Sequence, residues 1–166
     1  MKKILIPVDG SSQSLAAVHE AMREGPGAVE RIDLVNVQPL FNRYVSRWIP
    51  RAHRDGWRYD RSREALAPAQ ALLGASPIAW RAHATAGNPA AAIACAARDL
   101  GSDEILIGAA RRGPFARAFA NSLSTRLLET SNVPVRVIPA AEAPLFGRLA
   151  LPAGLGIVAL LWAAAD

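Results

Sequence analysis

The stretch Glu104–Pro139 reads EILIGAARRGPFARAFANSLSTRLLETSNVPVRVIP, and it scans as strand, loop, helix, strand. Glu104–Ile107 has the short apolar run of a buried strand. Gly108 to Asn121 is a loop carrying glycine and several arginines. Ser122 is placed to cap a helix through LSTRLLET, in which Leu123, Leu127 and Leu128 are expected on one face. Pro134–Ile138 is the closing strand. A loop that leaves a parallel strand and enters a helix N-terminus suits an anion, because unpaired backbone N–H groups and the positive end of the helix dipole face it. Arg111, Arg112 and Arg117 add cationic charge, so phosphate is the natural candidate.

The other end of the chain has matching character. Lys3–Val8 is a continuous apolar run, as expected of a strand buried on both faces in a parallel sheet. Asp9-Gly10-Ser11-Ser12 is a turn, and Ser11 or Ser12 can cap a helix over Gln13–Glu24 whose Leu15, Val18, Ala21 and Met22 line one side. Gly25-Pro26-Gly27 ends that helix. Asp9 stands at the carboxyl end of the first strand, where open α/β sheets bind ligands; it is equally a residue type that closes turns on nearby backbone N–H groups.

Together these two segments resemble the universal stress protein family, over residues 1–139. The family's loop runs Gly, two residues, Gly, nine residues, Gly, then Ser or Thr. Here the same frame is Gly108-x2-Arg111-x9-Asn121-Ser122, followed by Pro134-Val135-Arg136-Val137. Spacing, Ser122 and the final strand match; the second and third glycines are replaced. Ile4-Leu5-Ile6-Pro7-Val8-Asp9-Gly10-Ser11 resembles the family's first strand and its adenine-side aspartate. The resemblance implies a five-stranded parallel sheet of order 3-2-1-4-5 with helices on both faces. It also implies an adenine nucleotide, ATP or a relative with or without Mg, held by Pro7, Val8, Asp9, Val37, Gly108, Arg111, Asn121, Ser122 and Leu123, with the base near Asp9 and Val37 and the phosphates against the Gly108–Ser122 loop. It further implies a homodimer through Pro134–Ile138. The alternative is a dimeric scaffold of the same fold that binds no nucleotide, with Arg111 deciding between the two: glycine lets backbone approach phosphate closely, whereas an arginine side chain either blocks the site or clamps it.

The middle of the chain alternates in the same way. Ile32–Val37 is a second strand, Arg63–Gly74 a second helix with Pro68 shifting or bending its start, and Ile78–Thr85 a third strand with the partial alternation of a sheet edge. Gly87-Asn88-Pro89 turns into a helix over Ala90–Leu100, capped by Asn88, with Ile93, Ala96, Ala97 and Leu100 inward. Alternating strands and helices make the fold α/β with right-handed crossovers. Between them, Gln38–Asp60 is irregular. Arg43, Arg47, Arg51, Arg54, Arg58 and Arg61 recur every three or four residues, with Tyr44, Trp48, Trp57 and Tyr59 interleaved and Pro50 set to break or restart a helix. Such a stripe is either a solvated arginine face or a contact for an anionic surface.

With 166 residues and 51% hydrophobic content, a single packed domain is expected. The net charge of +5 is carried by the segment Phe41–Arg63, and the rest is balanced, which argues against nucleic acid as a partner. The one cysteine, Cys95, excludes an internal disulfide and reads as a small buried hydrophobe, consistent with a cytoplasmic protein. His53 and His83 lack paired ligand spacing, and no nucleophile–base pair or Walker lysine appears, so the function requires no chemistry. Residues 140–148 read as a linker. Leu149–Ala165, LALPAGLGIVALLWAAA, holds 17 residues without a charge. As a helix it would span about 25 Å, slightly short of a ~30 Å hydrocarbon core, and it is expected either to touch the inner membrane or to dock on protein.

Overall fold

The computed structural model describes residues 1–41, 47–109, 123 and 125–139. Eight elements follow in order: β1 (Lys2–Pro7), α1 (Ser12–Glu24), β2 (Val29–Gln38), α2 (Arg51–Gly74), β3 (Ala79–Ala86), α3 (Pro89–Asp99), β4 (Glu104–Ala109) and β5 (Val135–Pro139). Residues 125–130 are helical as well. The five strands form one parallel sheet in the order β3-β2-β1-β4-β5. The expected fold class and strand order are therefore met.

Each element can be traced to its residues. Ser11 caps α1, its side chain accepting from the Ser14 N–H, and Gly25 closes it with φ +78°, a left-handed conformation glycine adopts without strain. Asn88 caps α3 through bonds from the Ala90 and Ala91 N–H groups, with Pro89 in the first turn. The helices cover both faces. On one, α1 and α2 pack Val18, Ala21, Leu66 and Leu73 against Ile4, Ile6, Ile32 and Leu34. On the other, α3 and the helical residues near Leu127 pack Ile93 and Ala97 against Leu5, Val35, Ile105 and Ile107. The faces switch between β1 and β4, the point at which a parallel sheet opens a crevice beyond its carboxyl ends.

Three expectations are corrected. The irregular segment is shorter than expected: α2 begins at Arg51, directly after Pro50, twelve residues before Arg63, and Pro68 lies within it. Cys95 is exposed, its thiol donating to Asp99 Oδ2 at 3.3 Å; it sits about 200° around α3 from the buried Ile93. Leu128 is exposed, while Leu127 is buried and Leu123 packs partly against the same cluster. The linker and the Leu149–Ala165 tail lie outside the described residues, among which no helix is long and apolar enough to cross a membrane.

Two polar clusters fasten the sheet. At the amino-terminal edge, Lys2 Nζ bridges Glu104 (2.7 Å) and Glu24 (3.0 Å), and Arg136 reaches Glu104 (2.6 Å), Glu20 (3.7 Å) and Glu24. This ties β1, α1, β4 and β5 together. In mid-sheet, the wholly buried Asp33 accepts from Arg31 Nε (2.8 Å) and meets His83 Nε2 (3.1 Å), joining β2 to the edge strand β3.

Candidate functional site

The carboxyl end of β1 runs into a tight turn. Gly10 takes φ +83°, and a Cβ there would also meet the Ala65 Cα of α2 at 3.4 Å. The backbone conformation favours glycine here, while the Ala65 spacing is an ordinary van der Waals contact. The Ser11 N–H donates to Asp9 Oδ1 at 2.9 Å, the turn-closing bond that an aspartate at this position can make. Desolvation would push the Asp9 carboxyl up, but hydrogen bonds from Ser11 outweigh it and hold the group below the ordinary carboxylate range. Asp9 is therefore an anion at neutral pH, and its two carboxylate oxygens have acceptor capacity beyond the turn bonds.

Behind this turn lies a buried polar relay. Asn36, 2% exposed, donates from Nδ2 to the Val8 carbonyl at 2.6 Å. Its Oδ1 accepts from Ser62 Oγ of α2 at 2.9 Å and from Gln38 Nε2 at 2.7 Å. One amide thus joins the ends of β1 and β2 to the middle of α2. Every member has a partner, which is the condition for a polar group to be tolerated in a core.

Over the relay opens a cleft of about 410 Å³. Asp9 and Gly10 form one side, Gln38 and Pro39 the end of β2, and Trp57, Arg61, Glu64 and Ala65 the wall contributed by α2. Arg61 spans that wall, its Nη1 2.8 Å from Glu64 Oε2 and its guanidinium 5.9 Å from the centre of the Trp57 ring. The cleft offers two carboxylates, one of them (Glu64) paired with Arg61, together with an amide, a cation and an indole. That set can hold a small ligand with a flat ring and donor groups; it contains no nucleophile poised beside a base.

The sequence-predicted residues fall into three groups. Asp9 lines the cleft. Pro7 and Val8 lead into it, and the Val8 N–H is committed to the Val35 carbonyl at 2.9 Å. Val37 sends its side chain to the opposite core, while its neighbours Gln38 and Pro39 reach the cleft. Gly108 lies across β1 on β4, level with Val8 if the pairing of Ile4 with Glu104 and Leu5 with Ile105 is extended. A Cβ at Gly108 would fall on the backbone carbonyl of Gln13, so α1 can start where it does only against glycine. Leu123 is a partly buried packing residue. Arg111, Asn121 and Ser122 lie outside the described residues.

Gln38, Asn36, Ser62, Trp57 and Glu64 were not foreseen as site residues, and Arg61 was read only as part of the arginine stripe. Two polar residues inside the apolar run Ile32–Val37 were the available signal for Asn36, since a buried amide needs a partner. Among the described residues no group of three His, Cys, Asp or Glu side chains could hold a metal ion.

Comparison with known proteins identifies the family of the fold. The model of the Universal stress protein family matches residues 1–139. A crystal structure of a protein from the universal stress protein family of Burkholderia pseudomallei aligns with a TM-score of 0.64 and 25% identity, covering 84% of this chain and 96% of that one. A universal stress protein in complex with cAMP aligns at 0.56 with 16% identity, covering 84% and 98%. An Arabidopsis thaliana protein of the family with AMP bound aligns at 0.58 with 15% identity, covering 85% and 93%. No curated protein matches the chain.

Proposed function

The chain belongs to the universal stress protein family, and from that premise we propose that it is an adenine-nucleotide-responsive regulatory module that binds its ligand without converting it. The observation that carries the proposal is the cleft at the carboxyl ends of β1 and β2, with the ionised Asp9 on one side and Gly108 one strand away. A base bearing an amino group donates to Asp9, and its ring lies beside Gln38 and Pro39. The sugar phosphates extend over β1 toward the loop that begins at Gly108, where Arg111, Asn121 and Ser122 of the matched frame take them up. Relatives of the same fold are described with cAMP and with AMP, which supports the adenine class.

Calorimetry with ATP, ADP and AMP, with and without Mg²⁺, tests this. Binding should weaken on Asp9→Ala by about 1–3 kcal/mol, the cost of a lost hydrogen bond to a charged group. Absence of binding by all three nucleotides refutes the reading. Arg111→Gly tells whether the arginine obstructs phosphate or clamps it: tighter binding means obstruction, weaker binding a clamp.

The same proposal includes a homodimer. Among the described residues β5 pairs with one neighbour only, and Val137 on it is 43% exposed. A second copy added along this edge satisfies the open backbone groups under two-fold symmetry. Sedimentation giving a monomer at micromolar concentration counts against it.

A further inference from the structure

Helix α2 is longer than the sheet requires. It has 24 residues, yet its first buried residue is Ser62. The eleven residues before Ser62 rise about 16 Å at 1.5 Å per residue. They add nothing to either core and carry arginines that raise the cost of concentrating charge. What the extension does provide is a wall for the cleft, because Trp57 and Arg61 stand on it.

Trp57 is an unusual residue to leave 45% exposed. A large indole gains by burial, and this one is met by Phe41, with ring centres 5.3 Å apart and planes tilted by 59°. Arg61 lies over the ring at 5.9 Å and is itself held by Glu64 at 2.8 Å. The indole thus has Phe41 tilted against it and the Arg61 guanidinium over its ring, while it still lines the cleft and remains partly exposed there. Across the cleft stands the Asp9 carboxylate, an acceptor for amino hydrogens.

We infer that Trp57 is the stacking platform that selects the ligand's ring: a planar, amino-bearing heterocycle lies on the indole with its amino group toward Asp9. The inference rests on the nucleotide reading above and assigns to α2 a recognition role that neither the glycine loop nor the strand ends supply. Stacking on a tryptophan favours any aromatic base through its π-face; the Asp9 acceptor then prefers bases that present an amino group. Base recognition is in this way separated from phosphate recognition, the first on α2 and β1, the second on the loop after β4.

The test uses the full chain and calorimetry with two probes, ATP and inorganic tripolyphosphate, the latter lacking a base. Trp57→Ala should weaken ATP about tenfold to hundredfold, the range seen when a stacking aromatic is removed, and Trp57→Phe should retain most of the affinity. Tripolyphosphate should bind both variants as it binds the wild type. ATP binding undiminished in Trp57→Ala overturns the inference and leaves the nucleotide reading standing. Equal losses for ATP and tripolyphosphate also overturn it, since the effect would then not pass through the base. A wild-type chain that binds no ATP overturns both.

Discussion

Replacing Asn36 with alanine removes one side chain and three hydrogen bonds, and the cost can be assembled from what each partner does next. The Val8 carbonyl loses its donor at 2.6 Å, and Ser62 Oγ loses its acceptor at 2.9 Å. Both groups sit in buried residues, so each is left to bear a desolvation penalty of about 1–3 kcal/mol. The Ser62 hydroxyl can recover part of this by turning to a carbonyl one helical turn back. Gln38, at the cleft, turns to water and costs little. The expected loss is therefore about 2–4 kcal/mol, a large share of the 5–15 kcal/mol typical of a domain. Urea unfolding followed by circular dichroism should show the midpoint moving down by about 1–2 M at a slope of about 2 kcal/mol per molar. Ser62→Ala made in the Asn36→Ala background should cost less than it does in the wild type, because one orphaned hydroxyl is then gone. A midpoint shift of Asn36→Ala under about 0.3 M, or strictly additive losses in the double variant, would refute the relay as a structural joint.

Three further outcomes are expected. Burial alone would raise the Glu24 carboxyl, but hydrogen bonds from Lys2 and Arg136 outweigh it and hold the group below its ordinary value of 4.5; its stabilisation is therefore complete above that pH and is lost as pH falls through the lower, folded value. Acid unfolding of Glu24→Gln should accordingly show less pH dependence in that window, while an unchanged profile would remove Glu24 from the account. Gly108→Ala should destabilise the domain by about 1–3 kcal/mol or more, by driving a methyl group onto the Gln13 carbonyl and displacing the start of α1, as thermal unfolding would register. Cys95 should react with a thiol reagent in the folded protein as rapidly as in urea; strong protection would contradict its exposed position on α3.

Much of the sheet was legible because its information is local. The run Lys3–Val8 is apolar without alternation, as a strand covered on both faces sustains, and Ile32–Val37 is mainly apolar with Asp33 and Asn36 set into it. The partial alternation around Trp80 and Ala82 marked β3 as an edge, and the caps at Ser11 and Asn88 carried the helix starts. The first half of α2 was legible only as an arginine stripe at helical spacing, with Pro50 set to break or restart it, since residues 51–61 are mostly exposed and have no apolar period to fix where the helix begins. Cys95 was misjudged for the opposite reason: in an alanine-rich helix the apolar residues run all round, and only the angle from Ile93 separates the inner side from the outer. The places of Asp9 and Gly108 at the carboxyl ends of β1 and β4 were readable from the chain because strand ends are local signs. The cleft wall was not, because Trp57 and Arg61 approach Asp9 only after a crossover of some fifty residues has been folded. The Asn36 relay likewise depends on which serine of α2 comes to rest beneath it.

The division of α2 at Ser62 also sets how the molecule opens. Opening free energies follow buried contacts, so a helix whose buried residues all lie from Ser62 onward has no single stability along its length. The amides of residues 51–61 can exchange with solvent by fraying from Pro50 downward, leaving Leu66, Ala69 and Leu73 seated and both cores intact. The part of the cleft wall that carries Trp57 and Arg61 can thus unwind and rewind on its own, at a cost far below that of unfolding. Proteases would find this turn-by-turn breathing before they found the sheet, and whatever occupies the cleft would slow them first at the peptide bonds around Trp57.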